Sequence, residues 1–460
     1  MKIKSNLFKF ENILLIFWAG CLFSINSKIT DLYLDNKNFF GTGIVFIRIL
    51  IPILVFTILI FFLKIKKLNL FILCYLTYAL WQLIVYTPNK EYLIDNWERY
   101  HLIVSMLAIL LIIHITEYFK FQNLHLEILY FSIFFISAVS FYLSFFIVGD
   151  FIAKNDVFYL YTNYTLISEG RSLLQTNPRI TGVSRMLGLV LIFIFSLFIC
   201  KKKNLFIINF IFLSTIFVIS FLIYGMQSKG SYISIMLLLF YYFFFFKDKI
   251  KKKIFIFFIV LILPVISFET LLKIKIEFLK KNEFVTTINI KSRFLSSNSI
   301  VIDGKIVEDY TTGRFEIWKR AIDIIKEEKI FLGRGPQSDR FLLKSINFDP
   351  KIPRHFYDSN ASNGLIYSYL CAGIIGLIFV LTVYTLILYE IYKSIFIKKA
   401  FTIKNSSVIF SIITLSFLSV RTVYENGFTL FGVDYVFTLI CYLILKKFNS
   451  ISSMKNYSIL

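Results

Sequence analysis

The feature that most constrains the fold of this chain is a succession of apolar stretches, most of them close to the length that crosses a lipid bilayer as a helix. A helix that crosses the hydrocarbon core needs about 20 mainly apolar residues, and only helices and closed barrels satisfy every backbone polar group there. Such stretches occur about twelve times in the 460 residues. They lie near residues 7–25, 43–63, 68–87, 101–116, 124–148, 186–200, 205–224, 231–246, 254–272, 363–388, 407–420 and 428–445. The sequence therefore predicts an all-α integral membrane protein, a polytopic bundle of about twelve transmembrane helices.

The charge pattern predicts the orientation of these helices. A formal net charge of +22 would suggest a nucleic-acid partner in a soluble protein. Here 57% of the residues are hydrophobic, and the lysines form short runs between apolar stretches, as is typical of cytoplasmic loops. Each run follows an even-numbered stretch, at residues 64–67, 201–203, 247–253, 398–399 and 446–447. We therefore predict cytoplasmic termini, lipid contacts and no nucleic-acid partner.

This orientation divides the chain into four segments and places one large loop on the outer side. The predicted segments are 1–148 with helices one to five, 149–272 with a loop and helices six to nine, the large loop 273–362, and 363–460 with the last three helices. After Thr312 and Gly313, apolar residues recur at helical spacing from Ile317 to Ile325. The loop is thus expected to contain amphipathic helices, one of which lies on the membrane surface or the mouth of the bundle and is ended by Gly333 and Gly335.

Four basic residues on the predicted outer side are candidates for binding an anion. Charged residues beside membrane spans are costly and therefore need a reason. Guanidinium groups bind phosphate oxygens through a planar fork, and lysine supplies a mobile point charge. The alternative is that these side chains reach lipid headgroups. The set predicts a site for a doubly charged anion such as a diphosphate, formed by Arg179, Arg185, Lys229 and Arg314.

Further polar residues flank the later apolar stretches. His355 is a candidate proton acceptor, although a solvated loop histidine is the simpler interpretation. Asn363 belongs to a polar cluster that leads into a glycine-containing span. Arg421 and Glu425, four residues apart, are expected to pair with each other, while Asp434 is a buried acid without an explanation. No histidine, cysteine or carboxylate spacing suits zinc, so no metal site is predicted.

Taken in order, these motifs resemble the O-antigen ligase and O-antigen polymerase family of bacterial surface-polysaccharide assembly. The hallmark is Thr312-Gly313-Arg314 with Trp318, followed by an amphipathic helix and then Gly333-Arg334-Gly335. The resemblance extends to Pro178-Arg179-Ile180-Thr181-Gly182 and to Ser228-Lys229-Gly230, where lysine stands in place of an arginine. It also includes Ser362-Asn363-Gly364 ahead of Gly373-Ile374-Ile375-Gly376, with Ser362 at a position where ligases tend to carry a histidine.

This resemblance implies an inverting, metal-independent glycosyl transfer at the periplasmic face of the bacterial inner membrane, without a cofactor. The donor would be a glycan on undecaprenyl diphosphate, and chain-length regulators or other assembly proteins are possible partners. A polymerase would use a second glycan as acceptor, whereas a ligase, the next alternative, would use lipid A-core. The implied diphosphate ligands are Arg179, Arg185, Lys229 and Arg314. Arg314, Asn363 and His355 are the implied catalytic residues, with Asn363 orienting the acceptor or the loop and His355 acting as base.

Two other classes of function are also compatible with a chain of many spans. A flippase for lipid-linked oligosaccharide would be expected to show paired repeats or broken helices, and the sequence shows no such symmetry. A non-catalytic assembly scaffold would tolerate replacement of the basic residues.

Overall fold

A computed structural model describes the central and C-terminal parts of the chain in most detail. The described residues are 54, 57, 69–86, 102–103, 105–110, 127–130, 132–134, 136–138, 180–201, 206–225, 229–246, 248–281, 298–302, 305–309, 314–343, 346–347, 361–403, 405–430 and 434–450. Arg179 and His355, two of the predicted site residues, lie outside them.

The described apolar segments are helical. Helices α1 to α5 are Leu70–Tyr86, Ile180–Cys200, Phe206–Gly225, Lys229–Phe243 and Asp248–Lys281. The predicted large loop contains α6 (Arg314–Glu327) and α7 (Ser338–Leu342). The C-terminal part contains α8 (Gly364–Tyr392), a π-helical turn (Lys393–Ile397), α9 (Ala400–Ile403), α10 (Ser406–Tyr424) and α11 (Asp434–Ser450).

Three helices in the described part are long and apolar enough to cross a membrane, judged by length and composition. They are Phe206–Tyr224, Gly364–Ile397 and Ser406–Tyr424, and shorter apolar helices include Leu70–Val85, Ser184–Cys200 and Gly230–Phe243. The prediction that these segments are helical is confirmed, and three of them have the length and composition of a membrane span. The total of about twelve spans stays a prediction, as do the segment boundaries.

Helix α10 lies at the centre of the packed helices. In its apolar window 78% of the residues are buried, against 22% for Phe206–Tyr224, so α10 is interior and α3 presents most of its surface outward. Helix α10 contacts α2, α4, α8 and α11. Its small hydroxyl residues suit a crowded interior because they bond to their own helix; Ser411 Oγ, for example, donates to the Ser407 carbonyl at 2.8 Å.

The amphipathic loop helix is confirmed, but it ends earlier than predicted. Helix α6 packs Ile317, Ala321 and Ile324 against α8, so it lies on the bundle. It ends at Glu327, because Lys329 takes a left-handed φ of 49° and the Ile330 amide returns to the Ile325 carbonyl at 3.1 Å. This is a Schellman-type end. The prediction that Gly333 and Gly335 end the helix was therefore wrong.

The two glycines instead belong to a segment that docks on a break in α8. Gly373 has φ 61° and ψ −146°, which interrupts the helix within a predicted span. The interruption frees carbonyls that the segment satisfies: the amides of Arg334 and Gly335 donate to the carbonyls of Leu370 and Cys371, both at 2.9 Å. The Ile374 amide in turn donates to the Phe331 carbonyl at 3.0 Å. Irregular backbone is tolerated at such depth only where protein groups satisfy it.

Close approach explains why glycine is needed on both sides of this contact. A Cβ on Gly333, where φ is +92°, would lie 2.5 Å from the Ala372 amide nitrogen. A Cβ on Gly373 would lie 2.0 Å from the Phe331 carbonyl oxygen. We call residues 331–335 together with the break at Gly373 the backbone clamp; it fixes the large loop to the bundle.

The loop also contains a small sheet that the sequence analysis did not anticipate. Strands β1 (Asn298–Ile302), β2 (Lys305–Asp309) and β3 (Ile346–Asn347) form an antiparallel sheet in the order β2-β1-β3. Strands β1 and β2 form a hairpin in which Asn298 is opposite Asp309 and Ile302 is opposite Lys305. Because β1 precedes α6 and β3 follows α7, their pairing brings together the chain segments before and after these two helices.

Candidate functional site

Several helix termini that carry predicted site residues meet at one end of the bundle. Helix α10 runs antiparallel to α4: Arg421 contacts Ser231 at the start of α4, whereas Ser416, earlier in α10, contacts Tyr242 at the end of α4. The start of α4 therefore lies with the last turn of α10, and the contacts described below bring the starts of α6, α8 and α11 to the same end. We call this the common end and define it by Ser231, Arg314, Asn363, Tyr424 and Asp434.

Tyr424 is the side chain around which the common end is built. Its hydroxyl donates to the Gly230 carbonyl at 2.9 Å and shares a hydrogen bond of 2.7 Å with Ser234 Oγ. The Gly230 backbone lies so close that a Cβ there would be 2.6 Å from the tyrosine ring. Lys229, the predicted phosphate ligand that precedes Gly230, is the first residue of α4. The ring therefore holds the start of α4 against the end of α10.

Arg314 lies on the same tyrosine ring. It is the first residue of α6, and its guanidinium carbon is 5.5 Å from the ring centroid, within cation–π range. Its Nη2 donates to Glu425 Oε1 at 3.2 Å. The side chain remains 26% exposed, so its other N–H groups can reach a ligand. The hallmark arginine and Gly230, at the start of α4, thus both contact one aromatic residue.

Glu425 also belongs to the common end, but its ion-pair partner is not the residue that was predicted. The predicted Arg421–Glu425 pair was wrong, because α10 ends at Tyr424 and Glu425 has an extended backbone, with φ −152° and ψ 169°. The i,i+4 rule applies only when both residues are on the helix. Arg421 instead donates to Ser231 Oγ at 2.8 Å, which leaves Glu425 to Arg314.

Asn363 joins α8 to α10 through both ends of its amide. Its Oδ1 caps α8 by accepting from the amides of Leu365 at 2.9 Å and Ile366 at 3.1 Å. Its Nδ2 donates to the Val423 carbonyl at 2.7 Å. Asn363 is only 8% exposed, and its amide joins the two helices. Its role in orienting the acceptor or the loop stays a prediction.

Arg185 also lies at the common end, and its ion pair explains why an acid, Asp434, is buried there. Its Nη1 donates to Asp434 Oδ2 at 3.0 Å, and the two side chains are 18% and 3% exposed. Gly188, one turn further into α2, packs against Ile235 and Phe417. At 1.5 Å per residue this places Arg185 at roughly the level of the Arg421–Ser231 contact. Asp434, which begins α11, is therefore the counterion of a predicted phosphate ligand.

A buried carboxylate supports the segment that leads into Asn363. Asp339 of α7 is fully buried, and its Oδ2 accepts from the Ala361 amide at 2.9 Å. Burial raises the pKa of Asp339, with the nearby Arg340 acting in the opposite direction. The sequence contained no signal for this role, because the contact joins residues 22 positions apart across the loop.

The common end brings together the four predicted site residues that the structure describes. Arg314, Asn363 and Arg185 are present with their side chains, and Lys229 is placed by its backbone. Tyr424 and Glu425 were missed. Two of the cations are paired with carboxylates, but Arg421 and Lys229 add positive charge. Among the described residues at this end, the basic residues therefore outnumber the carboxylates, which suits an anionic ligand.

Comparison with known proteins gives a family for the region that contains these motifs. Residues 214–381 match the family model described as O-antigen ligase, which confirms the resemblance seen in the sequence. The matched range runs from within α3 to within α8, and it includes Lys229, Arg314 and Asn363 but not Arg185 or Glu425. No curated protein matches the chain. The family and the apolar helices together indicate an integral membrane protein.

Proposed function

We propose that this chain, which carries an O-antigen ligase family domain at residues 214–381, polymerises lipid-linked glycan repeat units of a bacterial surface polysaccharide. The reaction would take place at the periplasmic face of the inner membrane, with undecaprenyl diphosphate as the carrier of the donor glycan. An acceptor hydroxyl attacks the anomeric carbon, the bond from that carbon to the diphosphate oxygen breaks, and the diphosphate leaves with the electron pair. Attack opposite the leaving group inverts the anomeric configuration.

The meeting of the Lys229, Arg314 and Asn363 motifs at the last turn of α10 is the observation that carries this proposal. These residues come from three motifs that are far apart in sequence, and the fold gathers them where the net charge is positive. The main electrostatic task is to stabilise the charge that develops on the departing diphosphate. Arg185, Lys229 and Arg314, together with Arg179, would hold that group, and Asn363 would position the loop.

The two observed ion pairs are compatible with binding an anion. An arginine has five N–H donors, and each pair uses one nitrogen of the guanidinium. Arg185 Nε is buried and has no hydrogen-bond partner among the described residues. The carboxylates would thus hold Arg185 and Arg314 in place before the substrate arrives, which lowers the ordering cost of binding.

The test is an Arg314→Ala variant expressed in a strain that lacks the native protein. We expect long polysaccharide to fall by about a hundredfold or more, because one charge-stabilising group is removed from the transition state. Arg320→Ala is the matched control on the same helix, since Arg320 pairs with the 61% exposed Glu327 away from the common end. Equal polysaccharide in both variants, at equal protein level, would contradict the proposal.

The products in the deletion strain separate the alternatives. Core that carries a single repeat unit, with lipid-linked units outside the membrane, is expected for a lost polymerase. Bare core with lipid-linked polymer would identify a ligase, the second candidate, which the description of the family favours. Lipid-linked units that accumulate inside would indicate a flippase.

A further inference from the structure

Glu425 has an unusual position among the acidic residues of the described part. It immediately follows the last residue of α10, and its Oε1 is 3.2 Å from Arg314 Nη2. Two residues earlier, the Val423 carbonyl accepts from Asn363. Glu425 therefore contacts one family motif and neighbours a second, although it lies outside the matched range 214–381.

Accessibility distinguishes Glu425 from the other carboxylates near the common end. Its side chain is 19% exposed, whereas that of Asp434 is 3% exposed and Asp339 is fully buried. Asp339 is engaged with the Ala361 amide, and Asp434 lies beside Arg185 at the start of α11. A proton acceptor must reach the hydroxyl from which it takes the proton, either directly or through one water. Of these three acids, Glu425 has the surface to do so.

We propose that Glu425 is the general base that accepts the proton of the acceptor hydroxyl. The inference rests on the proposed function. As the hydroxyl oxygen forms its bond to the anomeric carbon, its proton moves to the free oxygen of Glu425, and the bond to the diphosphate breaks. The proton is later released to solvent. Carboxylates serve as bases in inverting glycosyl chemistry, where the attacking and leaving groups lie on opposite faces of the sugar.

The contact with Arg314 would hold the Glu425 carboxylate in position to act as a base. Arg314 fixes one carboxylate oxygen through Nη2, and its remaining N–H groups can bind the departing diphosphate. One guanidinium would then set the distance between the base and the leaving group. The sequence candidate, His355, is compared directly in the test.

The experiment measures turnover and donor-carrier binding separately in Glu425→Gln, Glu425→Asp and His355→Ala. The full-length protein is reconstituted in nanodiscs with lipid-linked repeat units extracted from the deletion strain, and binding is probed with undecaprenyl diphosphate. We expect Glu425→Gln to lose turnover by about a hundredfold or more while binding changes by less than about threefold. Glu425→Asp should retain part of the turnover, and His355→Ala most of it.

Other outcomes overturn the assignment. If Glu425→Gln also loses binding as Arg314→Ala does, Glu425 only holds the arginine in place. If Glu425→Gln remains active, or if His355→Ala is the inactive variant, the base lies elsewhere, yet active wild-type protein would still support the proposed function. Wild-type protein that forms no polymer from these units would overturn the proposed function and this inference together.

Discussion

Replacing Gly373 with alanine should damage the fold more than the addition of a single methyl group suggests. The residue is at φ 61° and ψ −146°, a region that L side chains rarely adopt, and the added Cβ would lie 2.0 Å from the Phe331 carbonyl oxygen. Movement of a side chain can relieve neither the backbone strain nor the clash, because the atoms that the added Cβ would meet belong to the backbone. The substitution must therefore shift the clamp segment away from α8.

The magnitude follows from what the shift disrupts. A non-glycine residue in such a conformation costs about 1–3 kcal/mol. The clamp has three backbone hydrogen bonds, and each buried peptide group left unsatisfied costs about 1–3 kcal/mol. If only one bond is lost, the free energy of unfolding should fall by about 3 kcal/mol, which is roughly a hundredfold in the folded-to-unfolded ratio.

The assay is denaturation of the purified protein in mixed micelles, followed by fluorescence and compared with Gly188→Ala. Gly188 lies within a regular helix, and its added Cβ would meet the ends of side chains, Ile235 Cδ1 at 3.2 Å and Phe417 Cζ at 3.4 Å, which can move. We expect Gly188→Ala to remain within about 1 kcal/mol of wild type. Equal stability of the two variants would refute the clamp as described.

Two further predictions concern buried charges. Asp434→Asn should lower stability by about 2 kcal/mol, because it leaves the partly buried Arg185 guanidinium without its counterion, whereas Glu327→Gln at an exposed pair should cost about 0.5 kcal/mol or less in the same denaturation assay. Burial raises the pKa of Asp339 above its ordinary 3.8, so its protonated form favours folding; the contribution of this group to stability should be fullest below that pH and should fall as the pH rises through the raised pKa, and Asp339→Asn should lack this component in a pH series of denaturation curves.

Local sequence features predicted the elements of this protein well. Apolar stretches of sufficient length are helical wherever the structure describes them, because no other open structure satisfies the backbone in lipid. The amphipathic spacing from Ile317 to Ile325 likewise predicted α6 and its packed face. The small sheet was missed because its pairing of β1 with β3 depends on contacts between residues far apart in the loop.

The arrangement of the site depended on contacts that local patterns do not encode. Arg421 and Glu425 have the spacing of a helical ion pair, but the helix ends between them, and the partners are exchanged for Ser231 and Arg314. Gly333 and Gly373 were each recognised as motif glycines, yet their function is to fit against the same backbone contact, 40 residues apart. Burial of Asp339 beneath Ala361 is a similar long-range feature.

The proposed function requires that the common end binds a lipid diphosphate. A direct binding measurement tests this requirement and needs no glycan. Undecaprenyl diphosphate is titrated into nanodisc-bound wild-type protein, Arg314→Ala and Arg320→Ala. We expect Arg314→Ala to weaken binding by about tenfold or more, because a charge-assisted hydrogen bond contributes about 1.5–3 kcal/mol. Arg320→Ala should bind undecaprenyl diphosphate as the wild-type protein does. Equal affinity of all three proteins would contradict it.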